Sequence, residues 1–213
     1  DPDFALAHSG LALVHGLRRT FGYVPPGTGL AEQKAAALKA LELDPGLAEA
    51  RAALADARVV EWDWEGAEAE FRRALELDPS SMISHFWYAW YLQARGRPSE
   101  SATHRRRALE LDPLNVMVNC AVARDLYAAG DDEAALAQWN RALELDPDQA
   151  QTHLQMALFH FDRGDRAAGS MHLERARAIE SEGPWGTPRL ATVCGVSGDE
   201  REALRLLGKL EAE

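Results

Sequence analysis

Little in this sequence is built for covalent chemistry or for a membrane. Its 213 residues hold two cysteines, Cys120 and Cys194. That is too few for a disulfide framework, and it points to a reducing compartment, with the cytoplasm as the expected location. Near the start, the longest stretch free of Asp, Glu, Lys and Arg runs from Phe4 to Leu17, and His8 and His15 interrupt it. A spanning helix needs about 20 apolar residues, and no basic region precedes the stretch as in a signal peptide, so no membrane insertion is expected. Basic residues are scarce relative to acidic ones, 23 against 34, for a formal charge of -11. An acidic surface repels phosphate backbones, so no nucleic-acid partner is expected. The HExxH, Cys–His and phosphate-loop patterns are missing, and Gly27-Thr28-Gly29 lacks the rest of a phosphate-binding frame. No nucleophile elbow or cysteine-protease signature occurs either. These absences predict no catalytic residue, no cofactor and no metal, and the chain reads as a non-enzyme. It opens Asp1-Pro2 without methionine, which predicts a cut through a longer protein.

What the chain does have is a period. Leu-Asp-Pro recurs with its prolines at 45, 79, 113 and 147, a spacing of 34 residues, the length of a helix–turn–helix unit that stacks into an array. With each proline at place 32, units span 1–47, 48–81, 82–115, 116–149, 150–183 and a divergent 184–213. Place 8 is Ala55, Ala89, Ala123, Ala157 and Ala191; place 27 is Ala40, Ala74, Ala108, Ala142 and Ala176. Place 20 is Ala67, Ser101, Ala135, Gly169 and Ala203. Small residues in these columns predict close helix crossings, where a larger side chain would overpack. Place 15 carries Gly96, Gly130, Gly164 and Gly198, glycine being suited to the left-handed end of a helix. Asp131, Asp165 and Asp199 follow as predicted caps of the next helix, and each Asp-Pro pair ends it.

The columns resemble the tetratricopeptide repeat family over nearly the whole chain. The resemblance implies an all-α fold: about six helical hairpins wound into a right-handed superhelical solenoid, one array from 1 to 213. The first unit departs from the pattern with nine extra residues around Thr20–Gly29, including Tyr23-Val24-Pro25-Pro26, and the second replaces the turn glycine with Trp62-Asp63-Trp64. That combination resembles repeats linked to bacterial winged-helix regulators, protein kinases or nucleotide cyclases. The insertion is read as a brace for the first hairpin, because Phe21 and Tyr23 have apolar surface to hide.

Seven histidines invite a metal or acid–base reading, but their places argue for packing. His8, His85 and His153 share place 4, and His15 and His160 share place 11. His104 and His172 share place 23, assigned to the outer face of the second helix. The one basic cluster, His104 to Arg107 with Arg95 and Arg97, reads as a solvated face. Within it Arg105 stands where the family has an aromatic residue, and is read as a snorkelling arginine.

In this family the first helices line the concave side. Phe86 and Trp90 lie four apart on one helix face, and Tyr127, Leu158 and Phe161 extend an apolar strip with Arg124 as a lone cation. Such a strip predicts a groove for a peptide or partner domain, Arg124 pairing with a ligand carboxylate. The competing reading is that array curvature, or the Phe21–Pro26 loop, covers these rings. The lysine and asparagine of a carboxylate clamp are absent from this strip, so a chaperone's acidic tail is not an expected ligand. The chain therefore reads as a non-catalytic protein-interaction module of a larger bacterial regulatory protein, with a self-associating homo-oligomeric scaffold as the alternative.

Overall fold

The structure, a computed structural model, describes residues 3–20, 24, 28–179 and 186–210. Among them are twelve α-helices and no strand. They form two compact units, 1–113 and 114–213. The first unit contains α1 (Ala5–Thr20), α2 (Leu30–Leu43), α3 (Ala48–Val60), α4 (Trp64–Leu77), α5 (Met82–Ala94) and α6 (Pro98–Leu111). The second contains α7 (Val116–Ala128), α8 (Asp132–Leu145), α9 (Ala150–Asp162), α10 (Arg166–Ile179), α11 (Gly186–Ser197) and α12 (Glu200–Leu210). Each unit is three hairpins, with consecutive odd- and even-numbered helices packed as a pair. In the first unit α3 packs against both α1 and α5; in the second, α9 packs against α11.

The local chemistry that ends and starts these helices is repetitive. Turn glycines 96, 130, 164 and 198 have φ between 71 and 87°. The side chains of Asp63, Asp131, Asp165 and Asp199 accept from the backbone N–H three residues on, at 3.0–3.2 Å, which satisfies an otherwise orphaned helix donor. At the other end, Asp44, Asp78 and Asp146 turn extended before their prolines. Each carboxylate accepts from the backbone N–H two residues on, at 2.8–3.1 Å, an Asx turn that fixes the link to the next hairpin.

The small-residue columns are the hairpin cores. All five alanines of place 27 are fully buried, as are Ala55, Ala89, Ala123 and Ala157 of place 8. Where place 20 is polar, the hydroxyl of Ser101 donates to the carbonyl of Ala89 at 2.8 Å, so the crossing stays close without an unmet polar group. Where it is Gly169, a Cβ would come within 2.7 Å of the Phe161 ring.

Phe21, Tyr23, Pro25 and Pro26, on which the expected brace rests, lie outside the described residues. The tie seen in the first hairpin is polar. Gln33 of α2 is fully buried, donating to the Ala53 carbonyl at 2.9 Å and to the Asp56 carboxylate at 2.8 Å. Arg19 of α1 pairs with the same carboxylate. Burial pushes the Asp56 carboxyl up, while Arg19 and Gln33 pull it down.

Candidate functional site

The residues expected to line a groove come from α5, α7 and α9, at places 5, 9 and 12 of their repeats. Three- and four-residue spacing keeps such side chains on one helix face. In the first unit the face carries Phe86 and Trp90, whose rings meet edge to face with centroids 6.3 Å apart. Phe86 is only 5% exposed, so it packs the hairpin and offers little ring surface to a ligand. Trp90 is 38% exposed. Behind it lies Arg105 of α6, its guanidinium 5.2 Å from the centre of the indole ring.

Arg105 corrects the sequence expectation. It is 0% exposed, the opposite of a snorkelling side chain, because place 24 points into the hairpin and the planar guanidinium fills a slot made for a flat ring. Its neighbours do form a solvated face: Arg97 pairs with Glu100 at 2.6 Å and Arg107 with Glu110 at 2.8 Å.

In the second unit Arg124 and Tyr127 lie three apart on α7, and Leu158 and Phe161 three apart on α9. All four are half-buried. Tyr127 is packed on Trp139 and Phe159, with centroids at 5.9 and 5.5 Å, and Arg163 lies 5.6 Å over its ring. Its hydroxyl donates to Asp162 at 2.8 Å; burial first, then this carboxylate, pushes the phenol up. Leu158 and Phe161 pack on the core shared by α9, α10, α11 and α12. Among the four aromatic rings of the strip, therefore, Trp90 alone stands open.

A second aromatic feature was visible as an irregularity in sequence and gains meaning from the backbone. Trp62 replaces the turn glycine and keeps the glycine conformation, φ 63°. Large residues rarely hold this region. Its ring is 75% exposed and packs edge to face on Trp64 at 5.4 Å. Trp64 in turn lies against Tyr91, with Arg95 above it at 5.4 Å.

The histidines are placed differently from expectation in one respect. His104 and His172 are turned inward, each to the place-4 histidine of its own hairpin. Nδ1 of His85 lies 2.8 Å from Nδ1 of His104, and Nδ1 of His153 lies 3.0 Å from Nδ1 of His172. The outer-face assignment treated the second helix as isolated; in the hairpin, place 23 faces the start of the first helix. Among the described residues no group of three or more His, Cys, Asp or Glu is arranged to hold a metal. Nor is any helix among them long and apolar enough to cross a membrane.

Sequence reasoning missed three polar ties altogether: Arg19–Asp56–Gln33, the paired imidazoles, and Glu68. The last accepts from Tyr88 and Tyr91 at 3.2 and 3.1 Å and from Arg97 at 2.7 Å. The signal available for the imidazoles was the fixed interval between places 4 and 23.

Comparison with known proteins agrees with this fold. A family model for the TPR (tetratricopeptide) repeat matches residues 123–164. No curated protein matches significantly in sequence. Among solved structures, PilF of Pseudomonas aeruginosa is similar with a TM-score of 0.71 and 21% identity, over 98% of this chain and 90% of that one. PilW, a widely conserved type IV pilus biogenesis factor, gives 0.72 and 20%, over 98% and 93%. YrrB, a TPR protein with an unusual peptide-binding site, gives 0.56 and 20%, over 96% and 92%. At these identities the likeness concerns the fold, which is the all-α TPR fold.

Proposed function

We propose that this chain is a non-catalytic protein-interaction module that binds a peptide or a partner domain through the exposed inner faces of its first helices. The observation that carries the reading is Trp90. It stands 38% exposed on α5, a helix whose other aromatic side chains are buried, and it is held from behind by Arg105 and from the side by Phe86. A rigid, pre-positioned indole is the kind of side chain that anchors a protein interface, because it supplies contact area at little cost in side-chain entropy. In the second unit the half-buried Arg124, Tyr127, Leu158 and Phe161 offer a mixed surface, with Arg124 as the group to meet a carboxylate. YrrB, which shares the fold, is a TPR protein with a peptide-binding site. That supports a peptide or protein ligand here, and the cytoplasm fits such a role.

A bacterial regulatory protein is the proposed parent. What supports it is the pairing of the Thr20–Gly29 insertion with Trp62-Asp63-Trp64, and Trp62 does keep a glycine backbone conformation to remain in that turn.

The test is capture from a bacterial lysate with this chain as bait, beside Trp90→Ala and Arg124→Ala/Tyr127→Ala versions of unchanged helicity. Loss of a captured protein from either variant supports the reading for the face that variant changes. Equal retention by all three moves the binding surface elsewhere. A second reading, self-association, is favoured by Leu11 and Val14, which lie half exposed three apart on α1. Light scattering across a concentration series decides it, a strict monomer excluding it.

A further inference from the structure

Places 4 and 23 of each repeat are nineteen residues apart, and in four consecutive hairpins the structure joins them by a polar contact, like rungs of a ladder. The rungs are Arg51–Glu70 at 2.9 Å, His85–His104 at 2.8 Å, Asn119–Gln138 at 2.5 Å and His153–His172 at 3.0 Å. In three of them the place-4 side chain also donates to the carbonyl of the preceding Asp-Pro proline: Arg51 to Pro45 at 3.0 Å, His85 to Pro79 at 3.2 Å and His153 to Pro147 at 3.0 Å. The geometry is common to all four hairpins, and the chemistry is not. One rung is an ion pair, one is a pair of amides, and two are imidazole pairs.

The carbonyl fixes the tautomers. A carbonyl only accepts, so Nε2 of His85 carries a hydrogen, and a neutral His85 then presents a bare Nδ1. The contact closes only if His104 carries its hydrogen on Nδ1 and donates it. The same argument assigns Nδ1–H to His172, opposite a bare Nδ1 of His153. Each rung is thus a neutral N–H···N bond. Protonating the acceptor ring puts two N–H donors face to face and leaves nothing to accept either hydrogen.

We propose that the His85–His104 and His153–His172 rungs are acid-released latches, which hold the α5–α6 and α9–α10 hairpins closed near neutral pH and let go in acid. The Arg51–Glu70 and Asn119–Gln138 rungs in the neighbouring repeats do not depend on imidazole protonation.

Release needs a proton on Nδ1 of an acceptor ring, His85 or His153; a proton on Nε2 of His104 or His172 leaves the N–H···N bond formed but charges a buried ring, and the surroundings oppose that charge. Burial first, then His85 and Arg97, push His104 down to about 4 against the opposing Glu100. Burial lowers His85 as well, against the Pro79 carbonyl and Asp78, with Arg107 assisting. From α4, Glu68 accepts from the hydroxyl of Tyr88, whose ring lies 4.8 Å from that of His104, and it pairs with Arg72 and Arg97. In the second latch burial pushes His172 down to about 4, with His153 and His160 adding to the effect. His160 stacks on His172 at 5.6 Å and lies 3.6 Å from Asp165. The helices α8 and α11 pack against α9 and supply none of the charges acting on His172. An imidazole depressed in the folded state leaves the unfolded chain binding more protons between about pH 6.5 and about pH 4. Stability from the latches is complete above about 6.5 and is lost as pH falls through the folded values.

The protein supplies its own control. Replacing both histidine rungs by the amide rung, His85→Asn/His104→Gln with His153→Asn/His172→Gln, keeps a closed hairpin and removes the titration. Urea midpoints at pH 7.5 and pH 4.5 are compared for both chains, with ¹⁵N spectra of the imidazoles recorded for the natural one. The natural chain is expected to lose at least about tenfold more in folded-to-unfolded ratio than the amide chain. The spectra are expected to show Nδ1–H tautomers for His104 and His172, both titrating below pH 5. Equal losses in the two chains overturn the proposal. So do Nε2–H tautomers or titration near 6.5 at His104 and His172, a readout that stands even if the amide chain fails to fold.

Discussion

Arg105 and Trp90 form a stacked pair in which the cation is fully buried and the ring is partly open, the guanidinium lying 5.2 Å from the indole centre. The pair joins α6 to α5, so a partly exposed indole is supported by a charge inside the hairpin. A cation–π contact out of water contributes up to about 2 kcal/mol, and the arginine stem adds packing. Arg105→Ala is expected to lower stability by about 2–4 kcal/mol in urea unfolding. Arg105→Lys should recover little of it, because an ammonium is not flat. A loss under about 0.5 kcal/mol for Arg105→Ala would show the stack to be incidental.

Gly169 gives a prediction of steric origin. A Cβ there meets the Phe161 ring at 2.7 Å, so Gly169→Ala should cost about 1–3 kcal/mol despite alanine's better helix propensity. Gly10 lies within α1 with nothing in the way. Gly10→Ala should therefore stabilise by about 0.5–1 kcal/mol. Thermal unfolding of the two single variants checks both signs.

Trp62 sets an aromatic contact against a backbone cost. Its φ of 63° costs a non-glycine residue about 1–2 kcal/mol, and its edge contact with Trp64 returns part of that. Trp62→Gly is expected to raise stability by about 0.5–1 kcal/mol, while Trp62→Ala, which keeps the strain and loses the contact, should lower it. A Trp62→Gly midpoint below that of the natural chain would mean that the aromatic contact exceeds the backbone cost.

Much of this was legible in the sequence, for identifiable reasons. The alanine columns, turn glycines, capping aspartates and proline breaks are local or periodic features, and each has one stereochemical explanation. Arg105, His104 and His172 were misplaced because place 23 and place 24 can be assigned to a face only once the partner helix is known. For an isolated helix, polarity says outside; in the hairpin, the ladder of rungs turns place 23 inward, and a slot shaped for a flat ring accepts a guanidinium at place 24. The Phe86 ring was legible as part of an apolar face, but its burial depends on packing that no single helix encodes. Arg19–Asp56–Gln33 brings together three helices across a nine-residue insertion, which breaks the register that made the other columns readable.

Glu68 provides the last prediction, and it is one of pH. Its carboxylate accepts from Arg97, Arg72, Tyr91 and Tyr88. The Arg97 hydrogen bond, opposed by partial burial and aided by Tyr91, holds the Glu68 carboxyl below its ordinary value of 4.5. A carboxyl depressed in the folded state means that the unfolded chain takes up the proton first. The stability it contributes is present in full above about pH 4.5 and disappears as pH falls through the folded value. Glu68→Gln keeps an acceptor for the tyrosines but gives up the charge that Arg97 meets, and should cost about 1–2 kcal/mol at pH 7. Its effect should shrink only below about pH 4.5, as the natural side chain takes up its proton. The acid range of Glu68 lies below that in which the imidazole latches begin to open. Urea midpoints measured every half unit from pH 3 to 7.5 therefore separate the two: the glutamine variant converges with the natural chain only at the acid end, and the amide-rung variant diverges from it first below about pH 6.5. Convergence of the Glu68→Gln curve already at pH 5–6 would place the carboxyl at or above its ordinary value and refute the assignment of Arg97 as its dominant partner.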